Sequence, residues 1–176
     1  MRESGDHPGA RDFQEDVYRR ARTAFGDEHP LTLRIARNLA VCRRRDGALV
    51  EAAKLTEETL RRFVNRYDSD HSDSLATATN LAVDRRLAGD LESSRQLAEA
   101  NLPLLAEVAG EDHPLTLSCT ANLSLDLRGL GRGAEADELQ RRAVEGFAGA
   151  VRADHPWLAA ARQRRRIECD MAPMPL

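Results

Sequence analysis

Two stretches of the sequence are nearly identical: Gly26-Asp27-Glu28-His29-Pro30-Leu31-Thr32-Leu33 and Gly110-Glu111-Asp112-His113-Pro114-Leu115-Thr116-Leu117. They begin 110 − 26 = 84 residues apart, and a histidine recurs at half that interval, 42 residues, at His29, His71, His113 and His155. Three more series keep this register: Gly5, Gly47, Gly89 and Gly131; Asn38, Asn80 and Asn122; Leu55, Leu97 and Leu139. A fixed period of about 20–50 residues is typical of a solenoid, in which copies of one unit stack.

Each unit is predicted to contain two helices. Pro30 suits a first helical turn, where its missing N–H costs nothing, and apolar residues follow at helical spacing as far as Arg45. Gly47 suits the left-handed position that ends a helix, and a second apolar helical pattern runs from Leu49 to Tyr67. The fold class is therefore predicted to be all-α, built from antiparallel helix pairs.

The 42-residue register predicts a single array of about eight helices. We expect a half unit at 5–25, full units at 26–67, 68–109 and 110–151, a terminal capping helix at 156–169, and an irregular tail at 170–176. Pro103 lies inside a predicted second helix and should kink or split it near Asn101. The half unit lacks a first helix, so four of its residues should be exposed unless self-association or a longer parent chain covers them: Phe13, Val17, Tyr18 and Ala21.

Composition excludes several classes of function. The 176 residues are 31% charged and 41% hydrophobic, and the net charge of −3 argues against general binding to nucleic acid or anionic membrane. No apolar run approaches the roughly 20 residues of a membrane span, and a cytoplasmic protein is expected. Cys42, Cys119 and Cys169 lack the close spacing of a zinc site or a disulfide framework.

Neither catalysis nor metal binding is predicted. The sequence has no nucleophile elbow and no His-Glu-x-x-His helix, and no cofactor motif is present. The four periodic histidines lie on successive units, about 8–10 Å apart or more, which is too far for one coordination sphere. We expect them to lie at helix starts, with each ring bonded to the loop before it.

Three motifs carry a family resemblance: residues 26–33, Asn38-Leu39-Ala40, and the Gly-x-x-x-Glu-Ala pattern at 47–52. They resemble tetratricopeptide repeats (TPR) of the 42-residue kinesin-light-chain type, and the likeness extends over nearly the whole chain. The family implies a right-handed superhelical solenoid that acts as a protein-interaction scaffold or sensor. Only Lys54 is lysine among 26 basic residues, and with the C-terminal tail this bias also resembles actinobacterial repeat proteins of the FxSxx-COOH system and the repeat regions of NB-ARC-type ATPases.

The resemblance implies that first helices line a concave groove, in which the recurring asparagine contacts the backbone of a bound peptide. An amide both donates and accepts hydrogen bonds, so it can pair with any peptide unit. The alternative is that each asparagine ties down a neighbouring backbone group between repeats. The predicted peptide-binding residues are Asn38, Asn80, Asn122, Arg34, Arg37, Val41, Arg45, Ala76, Val83, Leu87, Ser118 and Leu125.

Arginines make the first unit basic. Arg34 and Arg37 are predicted to select acidic character in a protein or peptide partner, because a guanidinium favours carboxylates. Arg43, Arg44 and Arg45 have two interpretations. They either contact the same kind of partner or form a solvated helix C-terminus, where positive charge suits the helix dipole. A second cluster, at Arg162, Arg164, Arg165 and Arg166, is interpreted as an exposed cap, with only Trp157 nearby as a stacking aromatic for nucleic acid. Two alternative functions stay open: an oligomerisation module that associates through 13–25, and a regulatory repeat domain of a larger signalling ATPase.

Overall fold

The computed structural model describes residues 7–169 of the chain, and the predicted tail at 170–176 lies outside them. Within this range all regular secondary structure is helical. The helices are α1 (His7–Phe25), α2 (Pro30–Arg45), α3 (Leu49–Tyr67), α4 (Ser72–Leu87), α5 (Leu91–Ala109), α6 (Pro114–Gly129), α7 (Gly133–Ala150) and α8 (Pro156–Arg162). The all-α prediction is confirmed, and α2 and α3 have the predicted bounds.

The periodic histidines begin the first helix of each unit. Each ring is the N-cap, and its Nδ1 accepts a hydrogen bond at 3.2 Å from the backbone N–H two residues later, at Leu31, Asp73, Leu115 and Trp157. An N-cap acceptor satisfies one of the backbone donors that a helix start leaves without a partner. The predicted position is therefore right and the predicted partner is wrong: the ring bonds the helix after it and not the loop before it.

The turn inside each unit ends the first helix in a left-handed residue. Gly47 has a φ of 90°, and the Ala48 N–H bonds the Arg43 carbonyl across it at 2.9 Å. Gly89 and Gly131 repeat this geometry. Glycine adopts a left-handed backbone conformation at little cost in free energy. This explains why glycine recurs at this point of each unit.

Helices pack mainly on their neighbours in the sequence, and α4 also contacts α2 and α6. The first helices of the units thus form an inner layer, and the second helices form an outer one. Phe63 and Phe147, from second helices, are fully buried against this layer. Core residues on α4, α5 and α6 form one continuous apolar cluster, as stacked repeats require.

Three local expectations need correction. Of the four α1 residues expected to be exposed, only Phe13 is strongly so, at 62%. Ala21 is buried and Val17 and Tyr18 are half-buried, because α1 packs on α2. Helix α5 runs unbroken from Leu91 to Ala109 through Pro103, so the proline does not split it, and a bend near Asn101 stays a prediction. Helix α8 ends at Arg162 instead of continuing to Cys169.

Candidate functional site

Residues 163–169, which we call the tail segment, leave α8 through a tight turn. Arg164 has a φ of 52°, and the backbone N–H groups of Arg164 and Arg165 bond the carbonyls of Ala161 and Ala160 at 2.9 and 2.8 Å. These bonds cap the end of α8 and reverse the chain. From 165 onward the tail segment has no regular secondary structure, and it lies against the inner layer of first helices.

Two of the three periodic asparagines hold the tail segment by its backbone. Asn122 donates from Nδ2 to the Ile167 carbonyl at 2.8 Å and accepts the Ile167 N–H at Oδ1, at 2.9 Å. Asn80 makes the same pair of bonds to Cys169, both at 3.0 Å. One step of 42 residues along the array thus corresponds to two residues of the bound segment. A two-residue period is that of an extended chain.

Glu168, between the two paired residues, is enclosed by guanidinium groups. Its carboxylate accepts from Arg44 Nη1 at 3.2 Å, from Arg45 Nε at 2.6 Å and from Arg166 Nε at 3.3 Å. Burial acts to raise the pKa of Glu168, but the three positive charges outweigh it and hold that pKa below its usual range. The carboxylate is therefore charged at neutral pH.

One arginine from the preceding unit also bonds the backbone carbonyl of each of these two asparagines. Arg44 donates to the Asp84 carboxylate at 2.6 Å and to the Asn80 carbonyl at 3.3 Å. One unit later, Arg86 pairs with Asp126 and donates to the Asn122 carbonyl at 3.0 Å. Arg44 and Arg86 stand 86 − 44 = 42 residues apart, as do Asp84 and Asp126. This ion pair was not predicted, although its 42-residue period is visible in the sequence.

The two arginines predicted to select acidic partners face an acid of the array itself. Arg34 Nε and Arg37 Nη1 bond the two oxygens of Asp73, at 2.9 and 3.0 Å. Arg37 is only 1% exposed, and burial lowers the pKa of its guanidinium. Both arginines are thus engaged within the array, while Arg44 and Arg45 contact the acid of the tail segment.

The remaining predicted site residues differ in burial. Asn38 is half-buried, and its Oδ1 is a buried atom without a hydrogen-bond partner in residues 7–169. Four of the others are fully buried: Val41, Ala76, Val83 and Ser118. Leu87 and Leu125 are half-buried. A peptide-binding role for these residues stays a prediction.

Other kinds of site find little support in the described part of the chain. It contains no group of three or more potential metal ligands, and none of its helices is long and apolar enough to cross a membrane. Cys42, Cys119 and Cys169 are buried thiols, and burial raises the pKa of the Cys119 thiol to about 12. A thiol with so high a pKa is inert as a nucleophile at neutral pH.

The arrangement of stacked helix pairs around an inner layer of first helices defines a class, the helical-repeat proteins. The sequence profile of the tetratricopeptide repeat matches residues 1–63 and 73–149, and the chain belongs to that family. Comparison with curated protein sequences gives no match.

Solved structures show the same architecture. A Podosopora anserina protein described as a putative kinesin light chain with nearly identical TPR-like repeats is 25% identical, with a TM-score of 0.72 over 92% of this chain and 77% of that one. BtubC (BKLC) from P. vanneervenii is 18% identical, with a TM-score of 0.72 over 93% of this chain and 68% of that one. The predicted solenoid and its kinesin-light-chain-like character are confirmed.

Proposed function

We propose that this chain is a protein-interaction module that binds an extended segment of a partner protein in the groove of first helices. The observation that carries the proposal is the double hydrogen bond that Asn80 and Asn122 each make to one main-chain residue. This contact depends on the peptide backbone and not on a particular side chain, so a segment from another protein can make it equally well. The tail segment is then an internal occupant that a partner replaces.

The groove also favours one kind of side chain. An acid that lies between the two paired residues, as Glu168 does, meets Arg44 and Arg45. Charged hydrogen bonds are roughly twice as strong as neutral ones, and an unpaired buried guanidinium is costly, so a partner without an acid there should bind more weakly. We therefore propose an acidic residue in the partner segment, selected by Arg44 and Arg45.

Binding is favoured over the other interpretations. Two surface pockets in the described part of the chain, of 260 and 450 Å³, lie among charged residues. The first is lined by Arg19, Arg22, Thr23 and Asp27, and the second includes Asp112, Arg142 and Glu145. Neither contains the asparagines. In the first, the Thr23 hydroxyl donates to the Arg19 carbonyl and the Asp27 carboxylate pairs with Arg22, so the two are not arranged as a nucleophile and its base. We propose no enzymatic activity. Three buried cysteine thiols fit a reducing compartment, and a cytoplasmic location belongs to the same proposal.

The test uses the full chain and a labelled peptide with the sequence of residues 164–174. In wild type the tail segment competes for the groove. In Glu168→Lys the new cation faces Arg44 and Arg45, which weakens the tail segment and leaves the groove walls unchanged. We expect Glu168→Lys to bind the peptide at least about tenfold more tightly than wild type, because tenfold in affinity needs only about 1.4 kcal/mol. Fluorescence anisotropy measures both affinities.

Two control variants test whether this gain comes from release of the tail segment and depends on the asparagines. Glu138→Lys makes the same charge change on an exposed side chain of α7 and should bind the peptide as wild type does. Adding Asn80→Ala and Asn122→Ala to Glu168→Lys should abolish the gain while circular dichroism stays helical. A helical Glu168→Lys chain that binds no peptide would refute the proposal, and so would equal binding with and without the two asparagines.

A further inference from the structure

Arg44 shows how an arginine of the array meets the tail segment. It donates to the Asn80 carbonyl at 3.3 Å and to the carboxylate of Glu168 at 3.2 Å. Glu168 lies one residue before Cys169, whose main chain pairs with Asn80. The arginine that bonds the carbonyl of an asparagine therefore reaches the residue just before the one that this asparagine pairs with.

Arg86 is the next member of the same series, since 86 − 44 is 42. It donates to the Asn122 carbonyl at 3.0 Å, and Asn122 pairs with the main chain of Ile167. By the same geometry, Arg86 corresponds to the residue just before Ile167, which is Arg166. The tail segment thus has an acid at the position of Arg44 and a base at the position of Arg86.

Arg86 has hydrogen-bond donors that the array does not use. Its Nη2 bonds both the Asp126 carboxylate and the Asn122 carbonyl, whereas its Nε and Nη1 have no hydrogen-bond partner among residues 7–169. In Arg44 all three nitrogens are used, for one carbonyl and two carboxylates. The side chain of Arg86 is 16% exposed, so a ligand in the groove is able to reach the two unused nitrogens.

The two arginines also differ in charge balance. Burial acts to lower the pKa of Arg44, but the charges of Asp84 and Glu168 outweigh it and raise that pKa. Burial lowers the pKa of Arg86, and Asp126 alone acts against it. A second acid beside Arg86 would supply the compensation that Glu168 supplies at Arg44.

Arg166 does not supply this compensation. Its Nε bonds Glu168 of its own segment at 3.3 Å, and its side chain is 40% exposed. A like charge at this position weakens binding, because two cations near each other repel. The tail segment is therefore an imperfect occupant of the groove at Arg86.

We propose that Arg86 determines specificity by selecting a partner segment with a second acid, two residues before the acid that Arg44 and Arg45 hold. The preferred partner carries two acids at alternate positions, and the residue between them pairs with Asn122. The tail segment, with Arg166 in place of the first acid, is the weaker competitor. This inference deepens the proposed function and rests on it.

The labelled peptide and the Glu168→Lys chain described above also test the inference. A peptide with Arg166→Glu should bind this chain at least about tenfold more tightly than the peptide of natural sequence, because close charge pairs across an interface couple strongly. The matched control peptide, Arg165→Glu, makes the same charge change one residue away. At physiological salt it should gain about threefold or less, through unspecific attraction alone.

Two further changes to the Glu168→Lys chain identify the residue responsible. Arg86→Gln with Asp126→Asn replaces the ion pair by neutral amides, and it should reduce the gain of the Arg166→Glu peptide to that of the control. Leu87→Arg leaves the ion pair intact. Leu87 is half-buried and is the counterpart of Arg45, since 87 − 45 is 42, so this change should increase the gain.

A measurement without peptide is independent of partner binding. The Ile167 N–H bonds Asn122, so its hydrogen exchange reports how often the tail segment leaves the groove. In the otherwise unmodified full chain, Arg166→Glu should slow this exchange by about tenfold, and Arg165→Glu should change it little.

Equal effects of the two glutamate substitutions, on peptide affinity or on exchange, would overturn the inference. A gain that persists in a helical chain with the neutral amides would overturn it as well. These results differ from a failure of the proposed function, which would appear as no binding of the natural-sequence peptide to the Glu168→Lys chain.

Discussion

Arg44 and Glu168 are 124 residues apart in the sequence, yet Nη1 of the one lies 3.2 Å from Oε1 of the other. Both side chains are almost completely buried, at 0% and 5% exposure. Arg44 bonds Asp84 through its Nε at the same time. A single guanidinium therefore links the first unit to the second and both of them to the tail segment.

Arg44→Ala should lower the free energy of unfolding by about 3–5 kcal/mol, because the truncation leaves Asp84 and Glu168 as buried charges with weaker compensation. Urea denaturation followed by circular dichroism measures the loss. Arg45→Ala is the matched control, since Arg45 is 26% exposed and should cost about 1 kcal/mol or less.

A double-mutant cycle separates the tail segment from the rest of this effect. In the Arg44→Ala background, Glu168→Gln should cost less than in wild type, with a coupling of about 1–3 kcal/mol. Additive effects of the two substitutions would mean that the ion pair between Arg44 and Glu168 contributes nothing. An Arg44→Ala chain as stable as Arg45→Ala would contradict the central position of Arg44.

His113 should make the stability of the array depend on pH. Its Nδ1 caps α6 only when the ring is neutral, and burial lowers the pKa of His113. With a folded pKa below the unfolded value of about 6.5, the stabilisation is complete above that value and is lost as pH falls through the folded pKa. His113→Asn keeps an N-cap acceptor that does not titrate, so the decrease in stability between pH 7 and pH 5 should be smaller in this variant.

Thermal unfolding at a series of pH values measures this difference. His29→Asn is the comparison, because His29 caps α2 in the same geometry but is exposed to solvent. If wild type and His113→Asn lose stability in parallel as pH falls, the neutral cap of α6 is not what titrates.

The fold was predictable because its signals are periodic. The histidine, asparagine and glycine of the first unit, His29, Asn38 and Gly47, recur every 42 residues at the same points of the following units. The helix bounds follow from the preferences of proline and glycine for helix starts and ends. The resemblance to tetratricopeptide repeats implied a backbone contact for the asparagines. Asn80 and Asn122 do contact a backbone, and it belongs to the tail segment of their own chain.

The position of the tail segment could not be predicted, because it depends on contacts between distant parts of the chain. The sequence gives no sign that α8 ends at Arg162. The residues that follow include Arg164, Arg165 and Arg166, which are good helix formers, and no proline or glycine occurs before Asp170. The helix stops because Arg164 takes a left-handed conformation and the asparagines bind the backbone of the tail segment. Similarly, Asp73 is an ordinary first-turn acid in sequence, and only packing brings it between Arg34 and Arg37.

Gly146 and Gly149, both on α7, should respond to alanine in opposite ways. A Cβ at Gly146 would collide with the side chain of the buried Leu117, whereas a Cβ at Gly149 would meet nothing within 4 Å. Gly146→Ala should therefore destabilise the array by about 1–3 kcal/mol through overpacking. Gly149→Ala should stabilise it by up to about 0.5–1 kcal/mol, because alanine favours the helix.

Differential scanning calorimetry compares the two variants, since about 1 kcal/mol shifts the melting temperature of a domain this size by roughly 2–4 °C. Gly146→Ala melting at or above wild type would show that Leu117 rotates away without cost. The close approach of α6 and α7 would then not require a glycine.

Asp68 occupies a backbone position that the other units give to glycine. Its φ of 73° and ψ of 174° at the end of α3 match Gly110, at 99° and 157°, at the end of α5. Gly26, Asp68 and Gly110 are equivalent in the 42-residue register, since 68 − 26 equals 110 − 68. This region of backbone space is essentially restricted to glycine and costs other residues about 1–3 kcal/mol.

Asp68→Gly should therefore raise the free energy of unfolding by about 1 kcal/mol, once the greater freedom of glycine in the unfolded chain offsets part of the relieved strain. The contacts of this position are made by its main chain and survive the substitution: its N–H bonds the Val64 carbonyl, and its carbonyl accepts from Ser74 Oγ at 2.8 Å. Gly110→Ala is the reciprocal control and should destabilise the array by a similar amount. Urea denaturation of both variants decides the matter, because a less stable Asp68→Gly would mean that the aspartate side chain stabilises the turn by more than its backbone strain costs.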